Sequence, residues 1–192
     1  LCFTITDTLS GSYQSALSAK DILEEKYPER NIFVVNSFQA TGSQQLLIRE
    51  AVKMKNAGFS AKEAFEKMEE IKNSAGIIFM VGGLTHLAKG GRIGRLASIS
   101  GTILKIKPLI QLNNGYIDSA GIVRSRKAGL KKLVENTKSF FMATNRNISD
   151  YVFTLGTTNT PEEIEPLKEL LKEAFPLIEF SPDSFQIGAT IS

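Results

Sequence analysis

The feature that most constrains the fold is an alternation along the chain. Short runs rich in β-branched and aliphatic residues are separated by longer stretches with helical periodicity. That pattern is the mark of an α/β protein. Residues 1–6 read as a strand. A helical pattern follows over about 11–26, with Tyr13, Ala16, Leu17, Ile22 and Leu23 on or near one face. Residues 32–35 form a short strand of the buried type, helices are expected over about 41–57 and 61–73, and residues 76–81 make a third strand. Ser60-Ala61-Lys62-Glu63 spells a capping box, in which serine and glutamate satisfy each other's free backbone donors. Gly58 suits the left-handed end of the helix before it.

Beyond that strand the texture changes. Gly82-Gly83 and Gly90-Gly91 punctuate a region of short helices, 84–89 and about 93–104. Strands at 108–112 and 116–123 flank Asn113-Asn114-Gly115, a hairpin signal because Asn and Gly tolerate positive φ. A helix over about 125–142 and a strand at 151–155 come next. Thr160-Pro161-Glu162-Glu163 then supplies an N-cap, a proline at the first helical position and an acid at the third. That helix reaches about 174, and strands at 177–180 and 185–191 close the chain. The boundary falls near Gly82, giving residues 1–81 as one domain and 82–192 as a second. Both ends lie in strand-like runs, whereas termini usually trail off in polar residues, so the sequence reads as a fragment of a longer protein.

Composition narrows the chemistry. With 42% hydrophobic and 22% charged residues among 192, the chain is too apolar to be disordered. Its longest apolar stretch, 75–81, is far shorter than the ~20 residues of a membrane helix, and no leader-like segment opens it. One cysteine, Cys2, forbids an internal disulfide and fits a reducing, cytoplasmic setting. One cysteine and one histidine, His86, cannot build a zinc site, so no metal is expected. There is no phosphate-binding G-x-x-x-x-G-K-[ST] loop and no G-x-S-x-G elbow. His86 lies in a short apolar helix and is expected to be structural.

Three constellations could carry function. In the first, Ser10-Gly11-Ser12 stands between a strand and a helix. Ser10 sits where an N-cap belongs, and the same place offers exposed N–H groups, hydroxyls and a positive dipole end to an anion. In the second, Lys89-Gly90-Gly91-Arg92 can hold a carboxylate or phosphate or simply turn the chain. The third is a charge asymmetry: ten basic residues lie between Lys89 and Lys132, against the single acid Asp118. Such a stretch makes a solvated face or a docking surface for an acidic or phosphorylated partner.

At these residues the sequence resembles the DegV family of bacterial fatty-acid-binding proteins. The family's L-S-G-T-Y-x-x-A is matched by Leu9-Ser10-Gly11-Ser12-Tyr13-Gln14-Ser15-Ala16, and its L-x-K-G-G-R-I by Leu87-Ala88-Lys89-Gly90-Gly91-Arg92-Ile93. Its L-x-I-K-P-[IL]-[IL] is matched by Leu104-Lys105-Ile106-Lys107-Pro108-Leu109-Ile110, and V-R-[TS]-[RK]-K-A by Val123-Arg124-Ser125-Arg126-Lys127-Ala128. The family's T-S-x-P-S and H-T-G-P-G motifs are absent. Thr6-Asp7 stands where two serines are usual, placing a negative charge near the expected carboxylate site. The resemblance implies a Rossmann-like three-layer domain, incomplete here, plus a second α/β domain with a mostly antiparallel sheet. It also implies a fatty-acid carrier that presents its ligand's carboxylate to a fatty-acid kinase and carries off the acyl phosphate, without catalysis or cofactor of its own. Ser10, Gly11 and Ser12 would bind the carboxylate, while Arg92 and Arg124 would contact ligand or partner.

Two other readings stand beside it. A small-molecule enzyme would use Ser10 as nucleophile and Arg92 as oxyanion partner, but the sequence offers it no base. Anion or nucleic-acid binding through the basic stretch 89–132 is the weakest, because the net charge is only +3 and no aromatic stacking pattern accompanies the cations.

Overall fold

In the computed structural model, which describes residues 1–93, 96, 106–182 and 184–187, strands and helices alternate as the sequence suggests. Strand β1 (Cys2–Thr4) pairs in parallel with β2 (Val34–Asn36), Cys2 opposite Val34 and Thr4 opposite Asn36. Helix α1 (Ser12–Lys26) makes the crossover between them, and α2 (Thr41–Asn56) and α3 (Ala61–Ile71) follow β2. Val35 and Met68 are fully enclosed beside Ala51, with Phe3, Met54, Phe65 and Ile71 packed around them. Burial of that kind stabilises by roughly 1.5–3 kcal/mol per large side chain. The capping box forms as written: Ser60 Oγ accepts the Glu63 N–H at 3.3 Å, and the Glu63 carboxylate accepts the Ser60 N–H at 2.8 Å.

Leu1–Ile77 and Leu112–Tyr116 make one compact unit, and the described residues of Ile78–Gln111 and from Ile117 onward make the other. The sequence placed the boundary at Gly82, beyond the third strand. In the fold β3 (Ile77–Met80) belongs to a sheet in the order β3-β4-β5 with β4 (Lys107–Asn113) and β5 (Tyr116–Val123), and the units separate after Ile77. The Val81 N–H extends the β3–β4 pairing to the Pro108 carbonyl at 3.0 Å. Asn114 and Gly115, at φ +46° and +83°, form the two-residue turn foreseen between β4 and β5, which therefore run antiparallel.

In the second unit α4 (Thr85–Lys89) is short, and α5 (Arg126–Thr144) is capped by Ser125 Oγ, which accepts the Ala128 N–H at 3.2 Å. Helix α6 (Ile164–Ala174) is the crossover between β6 (Val152–Phe153) and β8 (Glu179–Phe180). Strands β6 and β8 are parallel, as are β7 (Gly156–Thr157) and β9 (Phe185–Gln186). The antiparallel part of this unit is thus the β4–β5 hairpin, because a helical crossover returns the chain in the same direction. Phe141 anchors an aromatic cluster with Tyr151, Phe153 and Phe175. The helix expected at 93–104 lies outside the described residues apart from Ile93 and Leu96. So do the strand end expected at 188–191 and the side chain of His86. Among the described residues no helix is long and apolar enough to cross a membrane.

Candidate functional site

Because β1 and β2 are parallel, the loops that lead into α1 and α2 leave the same edge of the sheet, the edge at which α/β folds bind ligands. The two loops are stitched together. The Thr6 N–H donates to the Gln39 carbonyl at 2.9 Å, and Ser37 donates to the Thr4 carbonyl through its N–H and its hydroxyl, at 3.2 and 2.7 Å. Thr4, Thr6, Asn36, Ser37, Gln39 and Ser43 are all buried here. A buried polar group is costly unless hydrogen-bonded, and these find partners within the unit. The Gln39 amide donates to the Ala75 carbonyl at 3.0 Å and accepts the Ser43 hydroxyl at 2.9 Å.

Two enclosed hydroxyls break that rule. Among the described residues Ser12 Oγ and Thr41 Oγ1 have no hydrogen-bond partner. Ser12 is the first residue of α1 and Thr41 the first of α2. Leaving a buried hydroxyl unsatisfied costs about 1–3 kcal/mol, a cost the fold does not offset at either position. Both stand at the positive end of a helix, among N–H groups without intrahelical acceptors, a setting that favours an anion. The backbone there is strained: Phe38 and Thr41 adopt φ +54° and +49°, in the left-handed region that non-glycine residues seldom occupy. At the hairpin tip the Gly115 carbonyl accepts the Thr6 hydroxyl at 3.2 Å and the Thr8 hydroxyl as well.

The structure refines the expectations for Ser10, Gly11 and Ser12. Gly11, not Ser10, occupies the N-cap position of α1, and no side chain caps it. Ser10 Oγ instead accepts the Ser12 N–H at 3.2 Å, which leaves its own proton to donate. Gly11 is exposed, its φ of −69° does not require glycine, and open space surrounds the place where a Cβ would stand. The glycine therefore does not relieve crowding within the chain. Asp7 is exposed, its carboxylate accepting the Thr6 hydroxyl at 3.5 Å.

Arg92 and Arg124 belong to the second unit and are both exposed. Arg92 donates to the Gly90 carbonyl at 2.7 Å, and Arg124 follows the end of β5. Arg95 and Lys105 of the basic stretch lie outside the described residues. Arg126 is no docking cation: it grips Glu163 with two nitrogens, one bond measuring 2.6 Å, and donates to Thr160 Oγ1 at 3.0 Å. The Arg126 guanidinium holds the Glu163 carboxyl below the usual carboxylate range. Thr160 stands at the N-cap position with Pro161 at the start of the turn, as expected, but no side chain caps it, and the turn is a 3-10 helix over Pro161–Glu163 that leads into α6.

Thr41, Phe38 and Lys72 were not singled out from the sequence. One signal was present for the first: Thr41-Gly42-Ser43 after the second strand repeats the hydroxyl-glycine-hydroxyl order of Ser10-Gly11-Ser12 after the first. Among the described residues no group of three or more His, Cys, Asp or Glu side chains is placed to hold a metal ion.

Comparison with known proteins agrees with this architecture. A DegV domain-containing protein of Clostridium perfringens is 33% identical over 178 residues, 92% of this chain and 60% of the relative. A solved stearic-acid-binding protein of Eubacterium ventriosum superposes with a TM-score of 0.87 at 34% identity, covering 98% of this chain and 64% of that one. The fatty acid kinase (Fak) B3 protein of Streptococcus pneumoniae, solved with linoleic acid, shares the fold at a TM-score of 0.75 and 24% identity, covering 96% of this chain and 63% of that one. The chain thus spans less than two thirds of the length of these relatives. The model of the DegV family of uncharacterised proteins matches residues 1–192, and with a third of its residues shared with a DegV relative over nearly its whole length, the chain belongs to the DegV family.

Proposed function

We propose that the chain forms the larger part of a fatty-acid carrier, which binds a long-chain fatty acid, presents its carboxylate to a fatty-acid kinase and carries the acyl phosphate without catalysis of its own. The observation that carries the reading is the pair of enclosed, unpartnered hydroxyls of Ser12 and Thr41, each opening a helix at one edge of a parallel sheet. The stearic-acid-binding neighbour, alike over 98% of this chain, supports the ligand class. Energetically the division of labour is simple. The acyl tail gains about 0.8 kcal/mol for each methylene removed from water, whereas the head cannot enter an apolar site unpaired. In this reading it stops at the starts of α1 and α2, where the hydroxyls of Ser10, Ser12 and Thr41 and the amide of Gly11 serve as donors. Arg92 and Arg124, exposed on the second unit, serve the kinase or the acyl phosphate. The division into domains near residue 82 and a cytoplasmic setting belong to the same reading.

A nucleophilic Ser10 is the less supported alternative, since its hydroxyl accepts a backbone N–H rather than donating to a base. Mass spectrometry of lipid extracted from the purified natural-length protein tests the proposal. One long-chain fatty acid per molecule is expected, with acyl phosphate appearing only when kinase and ATP are added. Protein that carries no acyl chain and takes up none from an isotope-labelled fatty acid overturns it.

A further inference from the structure

Lys72 is the one buried cation among the described residues of the core, its side chain only 10% exposed. Charged side chains are seldom buried without a specific partner. Its Nζ lies 2.6 Å from Glu69 Oε2, but an i,i+3 ion pair does not call for burial. Lys67 and Glu70 make such a pair nearby at 2.7 Å with both side chains at least half exposed. What sets Lys72 apart is a second contact: its ammonium sits over the face of the Phe38 ring, 4.4 Å from the centroid. A cation at that distance is attracted by the electron-rich face, more strongly as water is removed.

Phe38 is where the backbone is strained. An aromatic residue at φ +54° holds that conformation only when its surroundings impose it. The Phe38 N–H donates to Asn36 Oδ1 at 3.3 Å. Its ring also abuts the hairpin tip, where a Cβ built on Gly115 would stand 3.4 Å from Phe38 Cδ1. The turn that Phe38 fixes runs through Gln39, which is buried, to Thr41, the second left-handed residue and the bearer of an unpartnered hydroxyl. We infer that Lys72 is a positioning residue for the anion site: by holding the Phe38 ring it sets the 36–41 turn and so places the Thr41 hydroxyl at the start of α2. This rests on the reading of that site as a carboxylate site.

The test compares Lys72→Met, Lys72→Arg, Phe38→Leu and the Lys72→Met/Phe38→Leu double variant of the natural-length protein, by displacement of a fluorescent fatty acid and at matched folded fraction. Lys72→Met should bind about ten-fold more weakly, the scale of one desolvated cation–π contact. Lys72→Arg, whose guanidinium can stack on the ring, should restore affinity to within about three-fold. The double variant should be no weaker than Phe38→Leu alone, because both changes remove one interaction. Parent-like affinity in Lys72→Met, failure of arginine to restore it, or losses that add in the double variant overturn the inference. A parent protein that takes up no fatty acid overturns the carrier reading instead. In that case amide hydrogen exchange of the ligand-free protein decides: faster exchange confined to 36–41 in Lys72→Met upholds the positioning role, and unchanged exchange there removes it.

Discussion

Replacing Ser12 with alanine should stabilise the ligand-free protein and weaken its hold on a fatty acid, two changes of opposite sign from one atom. Ser12 Oγ is enclosed and unpartnered, and such a hydroxyl costs about 1–3 kcal/mol when buried. Alanine removes that cost and is the better helix former by about 0.5 kcal/mol, set against the small loss of packing when one atom goes. A net gain of about 1–2 kcal/mol raises the melting temperature by about 2–4 °C per kcal/mol in a chain of this size. On the proposed reading the same hydroxyl donates to the ligand's carboxylate, a bond worth about 1.5–3 kcal/mol, so affinity should fall about ten- to a hundred-fold. Ser10→Ala is the contrast, because Ser10 Oγ accepts the Ser12 N–H and its loss should cost about 1 kcal/mol of stability. Calorimetry on delipidated protein and competition binding on the same preparations read both quantities. A lowered melting temperature in Ser12→Ala, or an affinity within about two-fold of the parent, would refute the reasoning.

Gly115→Ala should destabilise by about 2–4 kcal/mol in urea titration, because the residue sits at φ +83° and its new Cβ would fall 2.6 Å from the buried Thr6 Oγ1. Glu163→Gln bears on acid stability. Arg126 depresses the folded-state value of Glu163, so the bond contributes fully above the unfolded value near pH ~4.3 and is lost as pH falls through the lower folded value. The parent should therefore lose more stability than Glu163→Gln between about pH 5 and 3, by about 1 kcal/mol or less since Arg126 is 40% exposed, as equilibrium unfolding at the two pH values will read. Arg124→Ala, at an exposed position, should leave melting temperature and lipid content within error while slowing kinase-dependent acyl phosphate formation; equal turnover removes Arg124 from the partner surface.

Where local chemistry is decisive, the chain could be read directly. The Ser60–Glu63 box needs only its own four residues, and the Asn114-Gly115 turn follows from which side chains tolerate positive φ. Both formed as written. The helix starts after β1 and β2 were legible as well, since a strand followed by small polar residues and then helical periodicity has few other solutions. What escaped was set by partners distant in sequence. Lys72 is indistinguishable in composition from the solvated lysines of α3, and its burial depends on a ring 34 positions away. Thr160 takes the N-cap position its residues spell, but the contacts of its hydroxyl and of the Glu163 carboxylate with a guanidinium from another helix could not be read from the local residues. The buried polar set around Thr6 and Gln39 reads as loop in any hydropathy pattern, because only the parallel pairing of β1 and β2 brings their ends side by side. Ser12 was legible as a candidate residue, but its enclosure without a partner among the described residues was not.

The return of residues 112–116 to the first unit also governs the order in which the protein can be made. The bond from Thr6 to Gly115 spans 109 residues. During synthesis β1, β2 and their helices leave the ribosome first, yet the carbonyl that receives the Thr6 and Thr8 hydroxyls is translated several seconds after Ile77 at roughly 5–20 residues per second. Throughout that interval the buried Thr6 hydroxyl and the exposed Thr8 hydroxyl lack this acceptor, and the nascent unit is held below its final stability. The same geometry warns against dividing the protein by sequence position. A gene cut after residue 77 to isolate the first unit would leave out the turn that completes it.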